Sequence, residues 1–149
     1  MNARFVSPLL LAAALAFACG PRSHSSEPPP KTLPKSERRV ASALDVKVGE
    51  DVRFAFTVTN HTEKTVELTF PSGQTHDIVV LDGQGREVWR SSEGRMYTQS
   101  IRNTVLGASE AVSYRERWET GTAKGRYTAV ATLTSENHPM EQRIGFDVR

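Results

Sequence analysis

The chain has 149 residues, of which 19 are basic and 17 acidic, for a formal net charge of +2. This length suits one domain of ordinary size, and the single cysteine excludes an internal disulfide. The basic excess lies near the start. From Val40 onward, 13 basic residues face 15 acidic ones, a net charge of −2. This balance predicts no basic stripe on the domain and argues against nucleic acid as a partner.

The first predicted element is a secretory signal peptide over residues 1–18. Arg4 precedes an apolar run from Leu9 to Ala18, which closes with the small-residue pattern Ala16-Phe17-Ala18. The run is too short for a membrane-spanning helix, which needs roughly 20 apolar residues. The chain is therefore expected to be exported.

The only cysteine, Cys19, stands at the predicted cleavage point. This position resembles that of bacterial lipoproteins, in which the first mature cysteine carries lipid, although Ala16 stands where that class usually has leucine. The resemblance implies a membrane-anchored protein of the cell envelope, facing the periplasm or the cell surface. The alternative is simple cleavage after Ala18, which leaves Cys19 unmodified.

Residues 19–40 are rich in proline, serine and charge, and Leu33 is their only large apolar side chain before Val40. Such a segment buries too little apolar surface to offset the entropy of ordering it. We therefore expect a disordered tether, which could lie against anionic lipid headgroups.

Residues 41–149 form the predicted folded module, and their dominant pattern is an alternation of apolar and polar side chains with period two. Turn-forming residues such as "NHTEK" and "LDGQGRE" separate the alternating runs. The pattern predicts an antiparallel, immunoglobulin-like β-sandwich of seven to eight strands. The apolar positions that mark the strands are Leu44–Val48, Val52–Val58, Val66–Phe70, Ile78–Leu81, Val88, Val112–Trp118, Tyr127–Leu133 and Ile144–Val148.

The stretch "SGQTHD" contains the residue types of a hydrolase triad, namely Ser72, His76 and Asp77. Adjacent residues on a strand point to opposite faces, so His76 and Asp77 cannot be partners in one site. Ser72 lies in a turn after Pro71, without the strand-to-helix elbow of a nucleophilic serine. The four histidines of the chain show no metal-ligand spacing. We therefore expect neither an enzyme nor a metal or other cofactor.

The segment "VTNHTEKTVELTFPSGQTHDIVVLDGQGREVWRSS", followed by "GRMYTQS", resembles the BsuPI family, the bacterial intracellular proteinase inhibitor domain. The resemblance extends over about residues 43–148. The positions that match the family pattern are Asn60, Leu68, Phe70, Ser72, Gly73, Gln74, Asp77, Gly85, Val88, Trp89, Tyr97, Thr98 and Gln99.

The resemblance implies a non-enzymatic domain that binds and blocks a serine proteinase of the subtilisin type. It also implies that His76 occupies a packing position, because family members often carry an aromatic residue there. The alternative is a non-inhibitory module that binds an envelope protein or a cell-wall polymer, for which we would expect an exposed aromatic patch. A monomer is expected in either case.

An inhibitor should present an exposed loop that enters the proteinase cleft as an extended segment. The best candidate is "SSEGRMYTQSIRN", with Glu93, Gly94, Arg95 and Met96 at its tip. Alternatively, its apolar side chains Met96, Tyr97 and Ile101 pack on the edge of the sandwich and only position the loop. The "FPSGQ" turn is a second candidate, with Gln74 as its most available polar group.

The two tryptophans could mark either the core or an exposed contact site. Trp89 follows Val88, so one of these two neighbours must face the core and the other an outer face. Trp118 ends an apolar strand. We predict that both tryptophans belong to the core.

Overall fold

The computed structural model describes residues 39–149, and this part of the chain is all-β. The predicted signal peptide, Cys19 and the tether as far as residue 38 lie outside the described residues. The strands are β1 (Val40–Val48), β2 (Val52–Asn60), β3 (Val66–Phe70), β4 (His76–Leu81), β5 (Glu87–Arg90), β6 (Arg102–Leu106), β7 (Ala111–Trp118), β8 (Gly125–Leu133) and β9 (Met140–Val148).

The nine strands form three antiparallel sheets. The first has the order β1-β2-β7 and the second the order β5-β4-β8-β9, while β3 and β6 make a separate pair. Every paired neighbour runs antiparallel. Val40, where the predicted tether ends, is buried and lies opposite Asn60 at the start of β1.

The core lies between the three-stranded and four-stranded sheets. Alternate residues of the central strand β2 are buried and point inward because side chains alternate along a strand. Phe54 stacks on Trp89 of β5, with ring centroids 5.6 Å apart, and meets the edge of Phe146 of β9 at 6.0 Å. These aromatic contacts join the two sheets face to face. The fully buried side chains are Phe54, Phe56, Phe70, Leu68, Ile78, Leu106, Leu133, Val52, Val58, Val80 and Asn60.

The predicted fold class is confirmed, but the number of strands is nine rather than seven or eight. The additional strand is β6, which begins inside the segment that we expected to be an irregular loop. Of its five residues only Leu106 is buried, so the sequence shows no apolar alternation there. Its strand conformation comes from pairing with β3, in which Phe70 lies opposite Arg102.

The turn between β4 and β5 is the predicted tight hairpin. Gly85 has φ +79°, the left-handed conformation that glycine adopts without steric cost. The Asp82 carboxylate accepts hydrogen bonds from the backbone N–H groups of Gln84 and Arg86, both at 2.9 Å. This turn places β5 beside β4 and thereby sets where the next loop leaves the sandwich.

Both tryptophans pack in the core as predicted. Trp118 is 6% exposed, and Trp89 packs against the buried cluster while its neighbour Val88 faces solvent. Among residues 39–149 we find no helix long and apolar enough to cross a membrane.

Candidate functional site

The most exposed large apolar side chain of the described residues belongs to Met96, which is 99% exposed. It lies in the β5–β6 loop (residues 91–101), which leaves β5 after Arg90 and enters β6 at Arg102. The loop turns at Gly94, whose φ is +70°, and the Arg95 N–H donates to Ser92 O at 3.1 Å. The chain then runs on without regular structure through residues 95–98.

The first end of the loop is held by buried polar groups. The Ser91 hydroxyl donates to Asp77 Oδ1 at 3.0 Å and accepts from the Ile78 N–H at 2.9 Å. The Ser91 N–H in turn donates to Ile78 O at 2.8 Å. Arg90 forms an ion pair with the other oxygen of Asp77. The acidic residue of the family pattern therefore fixes the point where the loop begins.

Arg95, directly before Met96, is held by a two-point ion pair. Its guanidinium donates to the two carboxylate oxygens of Glu116 on β7, at 2.8 and 2.6 Å. The Glu116 side chain is only 7% exposed. Hydrogen bonding to this carboxylate raises the pKa of Arg95 above its ordinary value, so Arg95 stays charged. A planar guanidinium bound at two points has little rotational freedom.

His76 joins the same cluster. Its Nε2 lies 3.0 Å from Glu116 Oε1, its Nδ1 lies 3.1 Å from the Thr75 hydroxyl, and its ring stacks on Tyr114 at 4.5 Å. The packing position implied for His76 is therefore what the structure shows. The Tyr114 hydroxyl is buried and has no hydrogen-bond partner among the described residues.

Ser72, His76 and Asp77 do not form a triad. Asp77 contacts Ser91 and Arg90, whereas His76 contacts Glu116, so these neighbours use opposite faces of β4. The Ser72 hydroxyl accepts a hydrogen bond from the Gln74 N–H at 3.2 Å within its own turn. Among residues 39–149 no group of histidine, cysteine and acidic side chains could hold a metal ion.

The second end of the loop is held by the β3–β4 turn (residues 71–75). The Gly73 N–H donates to Thr98 O at 2.9 Å. A Cβ at Gly73 would lie 2.7 Å from Thr98 Oγ1, so a larger residue at this position would force the Thr98 side chain or the turn to move. Thr134, directly after β8, donates its hydroxyl hydrogen to Gln74 O at 2.6 Å and secures the turn. The backbone of the "FPSGQ" candidate thus supports the loop.

Asn60 is a buried structural residue of the family pattern. Its side-chain amide donates to the carbonyls of Lys64 (2.7 Å), Leu106 (3.2 Å) and Gly107 (2.8 Å), and its Oδ1 accepts from the Thr62 N–H at 3.0 Å. These bonds tie the β2–β3 turn to the end of β6. Asn60 positions the strand into which the β5–β6 loop runs.

The structure corrects one expectation for the loop. The alternative in which Met96 and Ile101 pack on the sandwich edge is wrong, because Met96 is 99% and Ile101 73% exposed. Only Tyr97 is half-buried. Glu93, Gly94 and Arg95 are exposed as residues. Their role in binding a proteinase stays a prediction.

Our reading of the sequence missed Glu116, the residue to which the cluster is anchored. A signal was present, since Glu116 interrupts the apolar face that Val112, Tyr114 and Trp118 mark on β7. A carboxylate at an inward position of a strand needs a charged or polar partner, but the sequence does not show that the partner is Arg95, 21 residues earlier.

These features describe a small antiparallel sandwich with an exposed loop, and both ends of that loop are hydrogen-bonded to the sandwich. The profile of the family described as BsuPI, intracellular proteinase inhibitor, matches residues 40–138. The chain therefore belongs to the BsuPI family of intracellular proteinase inhibitors. Membership of an inhibitor family agrees with a non-enzymatic domain. A search of curated protein sequences found no match.

Solved structures resemble the fold only loosely. A β-glucosidase from Bifidobacterium adolescentis is 15% identical, with 73% of this chain and 17% of that chain covered and a TM-score of 0.41. An alkylpurine DNA glycosylase from Pseudomonas fluorescens is 15% identical, covers 76% and 31%, and has a TM-score of 0.41. The chain thus spans less than a third of the length of either protein.

Proposed function

We propose that this protein is an exported, lipid-anchored inhibitor of a subtilisin-type serine proteinase, and that Met96 enters the substrate cleft of that proteinase. The observation that carries the proposal is the contrast between Met96 and its surroundings. Met96 is 99% exposed, yet Arg95 on one side and Thr98 on the other are bonded to the sandwich.

This arrangement suits inhibition for a physical reason. A segment already held in its bound shape loses little conformational entropy on binding, so more of the contact energy appears as affinity. The same anchors would keep the two ends of a cleaved bond together and favour its resealing. Methionine is unbranched and apolar, and it fits a hydrophobic specificity pocket of the kind that some serine proteinases use.

The alternative of an envelope-binding module predicted an exposed aromatic patch. The exposed large apolar side chains among residues 39–149 are instead aliphatic or methionine, namely Val48, Val88, Met96, Ile101, Val105 and Ile144. We therefore favour the inhibitor. Export and anchoring rest on the leader-like residues 1–18 and on the position of Cys19.

The experiment is a titration of the full-length chain against a panel of serine proteinases that includes a subtilisin. We expect stoichiometric inhibition of at least one enzyme with an apolar specificity pocket. Met96→Asp should then weaken inhibition by about a hundredfold or more, because a carboxylate must lose its hydration in that pocket. Val105→Asp, at a residue 58% exposed on β6, is the matched control and should inhibit normally. Full activity of every proteinase, or equal inhibition by the Met96 variant, would refute the proposal.

A further inference from the structure

The outer face of the three-stranded sheet carries a row of basic side chains that the sequence alone does not reveal. The strand register places Lys47 of β1 opposite Arg53 of β2, and Arg53 opposite Arg117 of β7. The next outward row contains Asp45, Ala55 and Arg115, and all the cations of the two rows are exposed. The expectation that the domain has no basic stripe is therefore wrong. We call Lys47, Arg53, Arg115 and Arg117 the basic face.

Most of this positive charge has no acidic partner. Arg117 pairs with Asp51 at 2.6 Å and more loosely with Glu119 at 3.6 Å. Within residues 39–149, Lys47, Arg53 and Arg115 have no carboxylate within salt-bridge distance. Like charges on directly opposite residues of neighbouring strands destabilise a sheet. The cations of this row therefore do not stabilise one another, and they lie on a domain whose net charge from Val40 onward is −2.

The basic face is also concave. Its residues line an open cavity of about 640 Å³, together with Asp45, Phe54, Ala55, Arg95 and Glu116. In the middle of this cavity the outward side chain of β2 after Arg53 is Ala55, which is small. The longer side chains of Lys47 on β1 and of Arg115 and Arg117 on β7 lie on either side. The result is a short groove over Ala55, two rows of residues long, with cations around it.

The spacing of the cations indicates what the groove can bind. Arg115 and Arg117 lie two residues apart on one strand, which separates them by about 6.8 Å. Alternate side chains of an extended peptide have the same spacing. Guanidinium groups bind carboxylates at two points, so two carboxylates at alternate positions of an extended segment could each meet one of these arginines.

We propose that the basic face binds an extended acidic polypeptide segment of a partner protein, with carboxylates at alternate positions. This binding does not depend on proteinase inhibition. The backbone of the segment lies over the small side chain of Ala55 on β2. Its carboxylates bind Arg53, Arg115 and Arg117. A bilayer is a less suitable occupant, because its flat surface cannot follow a groove.

The test uses the full-length chain in a mild non-ionic detergent and a fluorescent peptide of about ten residues in which glutamate and serine alternate. Fluorescence anisotropy at about 50 mM salt should show saturable binding that weakens as salt screens the charges. The double variant Arg53→Gln, Arg115→Gln should bind at least about tenfold more weakly. The control Lys64→Gln, Arg143→Gln changes the net charge equally, in the β2–β3 turn and on strand β9 of the other sheet, and should bind as the parent does.

Several results would overturn the proposal. Absence of peptide binding is one, and equal weakening in both double variants is another, since it would show attraction by net charge alone. Equal binding of a glutamine–serine peptide would exclude carboxylate recognition. Inorganic polyphosphate could bind more tightly than the peptide and lose that binding in the Arg53→Gln, Arg115→Gln variant, which would assign the basic face to phosphate. The same result with phosphatidylglycerol vesicles would assign it to a membrane.

Discussion

Arg95 and Glu116 form a two-point ion pair, 2.8 and 2.6 Å long, that fastens the β5–β6 loop to strand β7 directly beside the fully exposed Met96. Arg95 is half-exposed, whereas the Glu116 side chain is 7% exposed. The carboxylate is thus fixed in the sandwich, and the arginine brings the loop to it. This pair restrains the loop between its backbone hydrogen bonds at Ser91 and Thr98.

Replacing Glu116 by alanine should therefore free the loop without unfolding the domain. A proteinase that the parent chain inhibits should cleave this variant next to Met96 about tenfold faster or more, because the freed segment samples many conformations. Mass spectrometry of timed digests measures the cleavage. Glu119→Ala is the control, since Glu119 is 79% exposed and meets Arg117 only at 3.6 Å. Equal cleavage of the two variants would show that the ion pair does not restrain the loop.

The contact of Gly73 with Thr98 should be sensitive to a single methyl group. Gly73→Ala places a Cβ 2.7 Å from Thr98 Oγ1, and we expect the free energy of unfolding to fall by about 1–3 kcal/mol. Urea denaturation measures this value. Gly83→Ala is a matched control, because its Cβ would approach nothing closer than 3.9 Å.

A second substitution tests the cause of that loss. Thr98→Ala removes the hydroxyl that the new Cβ would strike, so the double variant should recover part of the stability lost by Gly73→Ala. A double-mutant cycle gives the coupling between the two sites. If the changes in the free energy of unfolding of the two single variants simply added in the double variant, the steric explanation would be contradicted.

The unpartnered hydroxyl of Tyr114 predicts both a stabilising substitution and a pH dependence. Burial raises the pKa of Tyr114 above its ordinary value of 10.0 and outweighs the opposing influence of Thr75 and Arg102. In the unfolded chain the phenol ionises from about pH 10. In the folded chain the Tyr114 hydroxyl keeps its proton to a higher pH. The free energy of unfolding therefore falls as the pH rises from about 10 through the raised pKa.

Tyr114→Phe should remove that part of the fall. It should also raise the free energy of unfolding near neutral pH by about 1 kcal/mol, because no buried hydroxyl is then left without a partner. Urea denaturation at a series of pH values between about 7 and 11 measures both effects. Tyr127→Phe is a useful comparison, since the Tyr127 hydroxyl donates to Lys124 O at 3.2 Å. A Tyr114 variant that is less stable at neutral pH would show that the hydroxyl has a partner in solution.

Lipid attachment at Cys19 is a prediction from the sequence that can be tested in a bacterial host. The parent chain should incorporate labelled palmitate and stay with the membrane fraction, whereas Cys19→Ala should lose the label and move to the soluble exported fraction. Two acyl chains or more hold a protein on a membrane firmly. An unlabelled parent chain, cleaved after Ala18, would contradict lipidation and leave Cys19 as a free thiol.

The positions of the strands were readable from the sequence because burial on one face imposes an alternating pattern. β2 shows this most clearly, with Val52, Phe54, Phe56 and Val58 all inward. Strand β6 was not predicted, because its strand conformation depends on pairing with β3 rather than on its own apolar residues. The loop tip around Met96 was predicted from a long irregular link between two alternating runs, but the exposure of its side chains could not be derived from the sequence.

The sequence by itself determined the fold class, the family and the segment that carries Met96, because these depend on local alternation and on motif residues near each other in the chain. Only the tertiary structure decided that Glu116 holds Arg95, that Gly73 supports Thr98, and that Lys47, Arg53 and Arg117 form one row. Except for Lys47 and Arg53, which face each other across a hairpin, these residues are far apart in the chain. Their geometry is set by strand register and sheet packing, which a one-dimensional pattern does not contain.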